Sequence, residues 1–288
     1  MLEQFIQLLK YILVAIVQGV AEILPISSSG HMVIVQDLLG LSSSDLTFEV
    51  FLHFASLLAL LAFFRKKLWN LISHFFTFLF KRPKITEESS EEEKEKAQQI
   101  RIDYFTCWYL VLATIPAAIV GLLLNDLIEG FFSNMLYVGI LLIINAGLLF
   151  TIKFFRRNKE TKDMTWKEAL VTGAFQCLGI FPGISRSGSC IVGASTMKMK
   201  QDDAAEFAFL MGIPMFLGTT ILKVGDIETL FQTEANIAPL LVSFVVTAVV
   251  TYFSLAIFLK MVRKQKLSYF SIYCLVVGVT SIVLYFVL

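Results

Sequence analysis

Six segments of this chain are apolar over the length that a lipid bilayer demands, and that property removes most folds from consideration. They are residues 48–64, 103–123, 135–152, 204–222, 239–259 and 267–288. A spanning helix needs roughly 20 mostly apolar residues, because the hydrocarbon core is ~30 Å thick. Backbone in hydrocarbon must satisfy its own N–H and C=O groups, so only helices or a closed barrel cross it. Runs this long point to helices. Composition agrees along the whole length: 57% of the 288 residues are hydrophobic and 16% are charged. A soluble domain is ~25% charged. The expected fold class is an all-α polytopic membrane protein, one integral membrane domain over residues 1–288.

Lys and Arg in short loops mark the cytoplasmic side of a membrane protein. The basic clusters are Arg65-Lys66-Lys67, then Lys153 with Arg156, Arg157 and Lys159, then Lys198 and Lys200, then Lys260 with Arg263, Lys264 and Lys266. The opposing loops, 125–134 and 225–238, are acidic or neutral. With the basic clusters inside, all six spans fit without conflict. The hydrophilic run 81–101 then reads as a cytoplasmic connector, part helical, with Glu and Lys at helical spacings. The start, Met-Leu-Glu-Gln, opens with an acid and no small-residue cleavage site follows, so no cleavable signal is expected. Four scattered cysteines (Cys107, Cys177, Cys190, Cys274) form no CxxC pair and read as small buried hydrophobes. Nothing in the charge pattern suggests nucleic acid as a partner.

Three further apolar stretches are too short or too broken to cross: 11–39, interrupted from Pro25 to His31; 68–80; and 169–197, interrupted from Pro182 to Ser189. The last starts after Lys167 and ends at Lys198, both inside, so it must dip in and return. By the same logic the first starts and ends outside. Two re-entrant helical hairpins from opposite faces are expected. One shift of the chain lays Gln18 on Gln176, Ile26 on Ile184, Ser27 on Ser185, Ser29 on Ser187 and Gly30 on Gly188. Each hairpin is followed by three spans, which predicts a three-plus-three inverted repeat with halves near 1–152 and 166–288. Such repeats bring half-helix N-termini together near the midplane.

Both breaks are rich in Ser and Gly. The first reads GVAEILPISSSGHMVI over 19–34, the second PGISRSG over 182–188. Re-entrant backbone persists only when buried in protein or lining a wet cavity. Ser at a helix start caps it, and free N–H groups there bind anions. Two such ends face to face would cradle a phosphate or diphosphate, with Ser27, Ser29, Gly30, Gly183, Ser185, Ser187 and Gly188 as its lining. Arg186 is costly in hydrocarbon, and its planar fork suits phosphate oxygens. Its structural alternatives are a tie to backbone carbonyls or a pair with Glu22. Gln18 and Glu22 share a helix face. Glu22 could bridge to a divalent cation, shuttle a proton, or neutralise Arg186. Ser27, Ser28 and Ser29 read as caps, phosphate donors or a nucleophile. His31 could be an acid or base near neutral pH. His53, inside a span, is a candidate cavity residue, and His74 reads as structural.

Together these motifs resemble the bacitracin-resistance type of undecaprenyl-diphosphate phosphatase, a family of bacterial integral membrane enzymes. It carries [E/Q]xxxE followed by PxSS[ST]GH and, later, PGxSRSG. Here these read Gln18 to Glu22, Pro25 to His31 and Pro182 to Gly188, and the similarity extends over essentially the full length. Ser189-Cys190 departs from the more usual Ala-Thr, and Gln18 replaces a carboxylate, which argues against Gln18 as an acid or base. The resemblance implies hydrolysis of undecaprenyl diphosphate to the monophosphate, recycling the lipid carrier of wall polymers. It implies Glu22, Ser28, His31 and Arg186 as catalytic residues, a divalent cation (magnesium or calcium) near Glu22, and a site open to the extracytoplasmic side of the plasma membrane. The expected partners are the polyprenyl diphosphate and membrane lipids, and a homodimer is a candidate assembly. A lipid-phosphate transporter or flippase is the main rival. The membrane phosphatidic-acid phosphatases also carry SGH and SR elements. They need a histidine soon after the arginine, whereas all three histidines here precede Arg186.

Overall fold

The computed structural model describes residues 2–41, 46–83, 89–132, 134–155, 158–233, 237–264 and 267–287. Arg156, Arg157 and Lys266 of the basic clusters, and residues 84–88 of the hydrophilic run, lie outside the described residues. Apart from one isolated bridge between Lys159 and Met199, the regular structure of the described residues is helical. In order the helices are α1 (Leu2–Ala21), α2 (Ser28–Leu38), α3 (Leu46–Phe63), α4 (Arg65–Lys81), α5 (Glu91–Leu123), α6 (Asn125–Phe132) and α7 (Met135–Thr151). There follow α8 (Trp166–Gln176), α9 (Arg186–Thr196), α10 (Gln201–Leu222), α11 (Val224–Thr233), α12 (Ala238–Arg263) and α13 (Ser268–Val287).

Among the described residues, six helices are long and apolar enough to cross a membrane: α1, α5, α7, α10, α12 and α13. Five contain, to within a residue at their ends, the described parts of the spans expected at 103–123, 135–152, 204–222, 239–259 and 267–288. The sixth differs. The expected 48–64 segment is α3, which meets the criterion only jointly with α4, and the two are bent by 73°. The run Arg65-Lys66-Lys67 ends the apolar stretch at that bend. Helix α1 instead extends the first apolar stretch back to Leu2, because LEQFIQLLK continues its helical period with only Glu3 and Lys10 charged. The hydrophilic connector is also helical in its second half. Ser90 and Glu93 form a reciprocal capping box that starts α5, so the polar turns and the span are one 33-residue helix.

Two helical pairs fold back on themselves. Lys10 on α1 reaches the carbonyl of Leu39 at the far end of α2. The Cys190 thiol on α9 lies 3.8 Å from Gln176 Oε1 on α8, and a Cβ added at Gly193 would sit 2.7 Å from Phe175. With 11 residues each, α2 and α9 are about 16 Å long, half of a bilayer core.

Small residues set the other crossings, as expected where helices meet without a hydrophobic drive. Helix α7 meets α13 at Gly139 and Gly278, where a Cβ on either would come within 3 Å of the other's carbonyl oxygen. Ser271 and Ser281 of α13 donate to the Ala146 and Met135 carbonyls of α7. Helix α1 meets α12 at Gly19, with Thr247 donating to the Ala15 carbonyl. Helix α8 meets α5 where Gly173 lies on the Ala113 carbonyl. Outside the apolar helices, Lys162 and Lys200 hydrogen-bond Glu160 and hold its carboxyl down at about 2. Backbone bonds from Lys159 to Lys198 and from Lys200 to Lys159 fasten this connector to the end of α9.

Candidate active site

Each break follows from local chemistry. Helix α1 ends as Pro25 approaches, since proline cannot continue the backbone ladder. Ser27 then takes φ of 71°, a left-handed conformation rare for a residue with a Cβ, and its Oγ accepts the Gly30 N–H at 3.2 Å to start α2. The second break repeats that cap: Ser185 Oγ accepts the Gly188 N–H at 3.0 Å to start α9. Ser29 and Ser187 lie 3.4 and 3.2 Å from the two capping hydroxyls.

The breaks touch one another. Gly183 donates its N–H to Ser27 Oγ at 2.9 Å, so one hydroxyl caps its own helix and ties down the opposite break. Gly183 has φ of 109°, and a Cβ there would strike Leu141 and the Val138 carbonyl of α7 at 2.7 Å. Cβ atoms built at Gly30 and Gly188 would sit about 3 Å from Gly183 and Pro25 respectively. Glycine lets the two breaks approach this closely.

Glu22 gathers the polar side chains. Its Oε1 accepts from Arg186 Nη2 at 3.1 Å. Its Oε2 accepts from Ser28 Oγ at 2.8 Å and Gln18 Nε2 at 3.0 Å, and lies 3.1 Å from His53 Nε2. Arg186 also donates through Nη1 to the Ala208 carbonyl of α10 at 3.2 Å. Its guanidinium lies 4.4 Å from the Phe216 ring, on which His53 also stacks. It lies directly on Gly212, where any Cβ would collide with it. Glu49 is buried behind His53 at 3.9 Å. Two buried polar atoms in this cluster, Arg186 Nε and Gln18 Oε1, have no hydrogen-bond partner among the described residues. One is a charged donor and the other an acceptor.

His31 is placed differently from the other three residues expected to be catalytic. Its Nδ1 lies 2.8 Å from the Ser27 carbonyl, which can only accept, so Nδ1 carries the hydrogen. Its Nε2 lies 2.8 Å from the Tyr273 hydroxyl, and the two rings stack. Both nitrogens are thus engaged away from Glu22. His53, read from the sequence as a candidate cavity residue, lies on Glu22, while Glu49, Phe216, Gly212, Asn145 and Tyr273 join the surroundings without having been singled out as site residues. Polar side chains inside apolar runs were the available signal for Glu49, His53 and Asn145. Among the described residues no three His, Cys, Asp or Glu side chains converge as a metal centre. The orphaned Gln18 oxygen beside the Glu22 carboxylate suits a hard cation shared with substrate phosphates, as magnesium is commonly held.

Two broken helices that set a buried arginine–carboxylate pair beside a serine, within a bundle of apolar helices, define a polytopic membrane protein with a polar site in its interior. Residues 11–280 match the family described as bacitracin resistance protein BacA, and the chain belongs to it. Over 282 residues it is 38% identical to undecaprenyl-diphosphatase 2 of Bacillus thuringiensis (strain Al Hakam), covering 98% of this chain and 99% of that one. It is 38% identical over 283 residues to the undecaprenyl-diphosphatase of Oceanobacillus iheyensis, covering 98% of each chain. With that of Methanosphaera stadtmanae the identity is 36% over 284 residues, covering 98% of this chain and all of the relative.

Proposed function

We propose that this protein hydrolyses undecaprenyl diphosphate to undecaprenyl phosphate and inorganic phosphate, recycling the carrier lipid of cell-wall polymers in the plasma membrane. The observation that carries this reading is the meeting of Arg186, Glu22 and Ser28 across the two breaks. Full-length similarity to diphosphatases supports the substrate class. The prenyl tail lies among the apolar helices while the diphosphate enters between the breaks. Arg186 turns its fork, including the unpartnered Nε–H, to the terminal phosphate and stabilises the charge developing there.

Ser28 already points its O–H at Glu22. In the proposed step Ser28 Oγ bonds to the terminal phosphorus, its proton passes to Glu22, and the bridging P–O bond breaks to release undecaprenyl phosphate. Water then cleaves the phosphoserine, giving up a proton as Oγ regains one. Alternatively, Ser28 orients a water for direct attack. A phosphoserine trapped at Ser28 on rapid acid quench separates the two routes. A divalent cation held by Glu22 and the Gln18 oxygen would neutralise phosphate charge. His31, bonded to the Ser27 carbonyl, holds the α2 cap rather than moving the proton.

The architecture read from the sequence belongs to the same proposal. Two re-entrant hairpins head the halves of an inverted repeat. It is supported by the matching caps at Ser27 and Ser185 and by the exchanged pairings of α1 with α12 and α8 with α5. The test is phosphate release from undecaprenyl diphosphate by the purified protein in detergent. Release that is lost on Ser28→Ala and Arg186→Ala supports the reading. No release by the intact protein, with magnesium or calcium supplied, overturns it in favour of a lipid-phosphate transporter built on the same fold.

A further inference from the structure

We infer that Asn145 is a positioning residue for the proposed hydrolysis: one carboxamide on α7 bonds to both helix breaks and fixes Arg186 against Glu22 and Ser28. Asn145 is fully buried at the middle of an otherwise apolar helix. Its Nδ2 donates to the Pro25 carbonyl at 3.1 Å, and its Oδ1 accepts the Ser185 N–H at 3.1 Å. Nδ2 also lies 3.3 Å from the Cys274 sulfur of α13. Without it the Ser185 N–H would be orphaned, and the Pro25 carbonyl would keep only a weak thiol bond from Cys274 at 3.9 Å. Ser185 is an N-cap whose third helical residue is Gly188, so no capping-box side chain can return to its N–H. Pro25 lies where α1 has already ended. An unpaired backbone group in a dry interior is costly, and only a side chain with both a donor and an acceptor can serve the two at once.

Among the described residues three hydrogen-bonded ties join the breaks: the Arg186–Glu22 pair, the bond from Gly183 to Ser27, and the Asn145 bridge. The first must loosen whenever Arg186 turns to a phosphate. Registry during turnover then falls to the other two. Asn145 carries that registry to a third element, α7, which also packs against Gly183. It touches neither Ser28 nor Glu22, so it acts through the backbone that carries them.

The inference rests on the phosphatase reading, and the experiment separates the two. Asn145→Leu removes both bonds at similar volume, and Asn145→Asp keeps the acceptor but loses the donor. With kcat normalised to folded protein, each variant is expected to lose about tenfold to a hundredfold in kcat. KM for undecaprenyl diphosphate should stay within about twofold of wild type, because the phosphate-holding groups remain. Unchanged kcat per folded molecule in both variants, even with lowered stability, would reduce Asn145 to packing and overturn the inference. Hydrogen–deuterium exchange supplies a readout independent of turnover. Peptides covering 19–34 and 177–197 should both exchange faster in Asn145→Leu, and protection unchanged in either would break the proposed link. If intact protein releases no phosphate, the functional reading fails, and the exchange result alone decides whether Asn145 joins the breaks.

Discussion

Removing the guanidinium of Arg186 takes away the fixed positive charge on Glu22 and the fork proposed to hold phosphate. Arg186→Ala is expected to lower kcat by about 10²–10³. The protein should still accumulate, because Gln18, Ser28 and His53 remain on the Glu22 carboxylate. Arg186→Lys keeps charge but not the planar fork and should recover only part of the rate. Normal turnover by Arg186→Ala at normal abundance would remove it from the site. Glu22→Gln tests the proton path, since an amide can keep a bond with Ser28 but cannot take its proton. Turnover in phosphate-release assays should fall by about 10²–10⁴, with the thermal midpoint in detergent near that of wild type. Near-normal turnover would reassign Glu22 to holding Arg186 in place. Glu22, Ser28 and Arg186 were legible in the sequence because each stands out from a broken apolar run. Gly212 and Phe216 were not, because they sit in unbroken helices and gain meaning only when the fold brings the breaks to them, and Asn145 offered only a polar side chain in an apolar run.

At the level of elements, the breaks depend on close backbone approach more than on hydrogen bonds alone. Gly183 combines a positive φ with α7 atoms that an added Cβ would meet at 2.7 Å, so Gly183→Ala adds both strain and collision. It should lower the thermal midpoint and the yield of folded protein. Gly147 on the same helix α7 has open space at its Cβ position, and Gly147→Ala should be neutral or mildly stabilising. Equal effects of the two substitutions would mean that α7 does not press on the break. Helix identity was readable wherever apolar length decided it, as at α7, α12 and α13. At α1, α3 and α4 apolar length did not decide it: α1 is long enough to cross alone and α3 with α4 could form one bent span, a choice that rests on packing and on where an amphipathic period begins. Nor could the run of acids near Glu91 reveal how long α5 would be, since a capped polar helix and an apolar span obey the same backbone pattern.

For the whole molecule, orientation and the direction in which the site opens are one question. Positive-inside placement puts α4 and the start of α5 at the cytoplasm, with α11 on the far side. The breaks are joined at Ser27 and Gly183, yet Ser28 and Ser29 are only half-buried, so a substrate would reach the site from beside them. A diphosphate left behind after wall polymers are transferred outside the cell would call for a mouth on that side. In a chain whose four cysteines are replaced by alanine, Ser29→Cys should react with a membrane-impermeant maleimide added to intact cells. Glu95→Cys, exposed on the polar part of α5, should react only after the membrane is opened. If Glu95→Cys reacts in intact cells, the orientation is reversed. If Ser29→Cys reacts only in inverted vesicles, with Glu95→Cys still cytoplasmic, the pocket opens inward and the carrier would have to cross the membrane before hydrolysis.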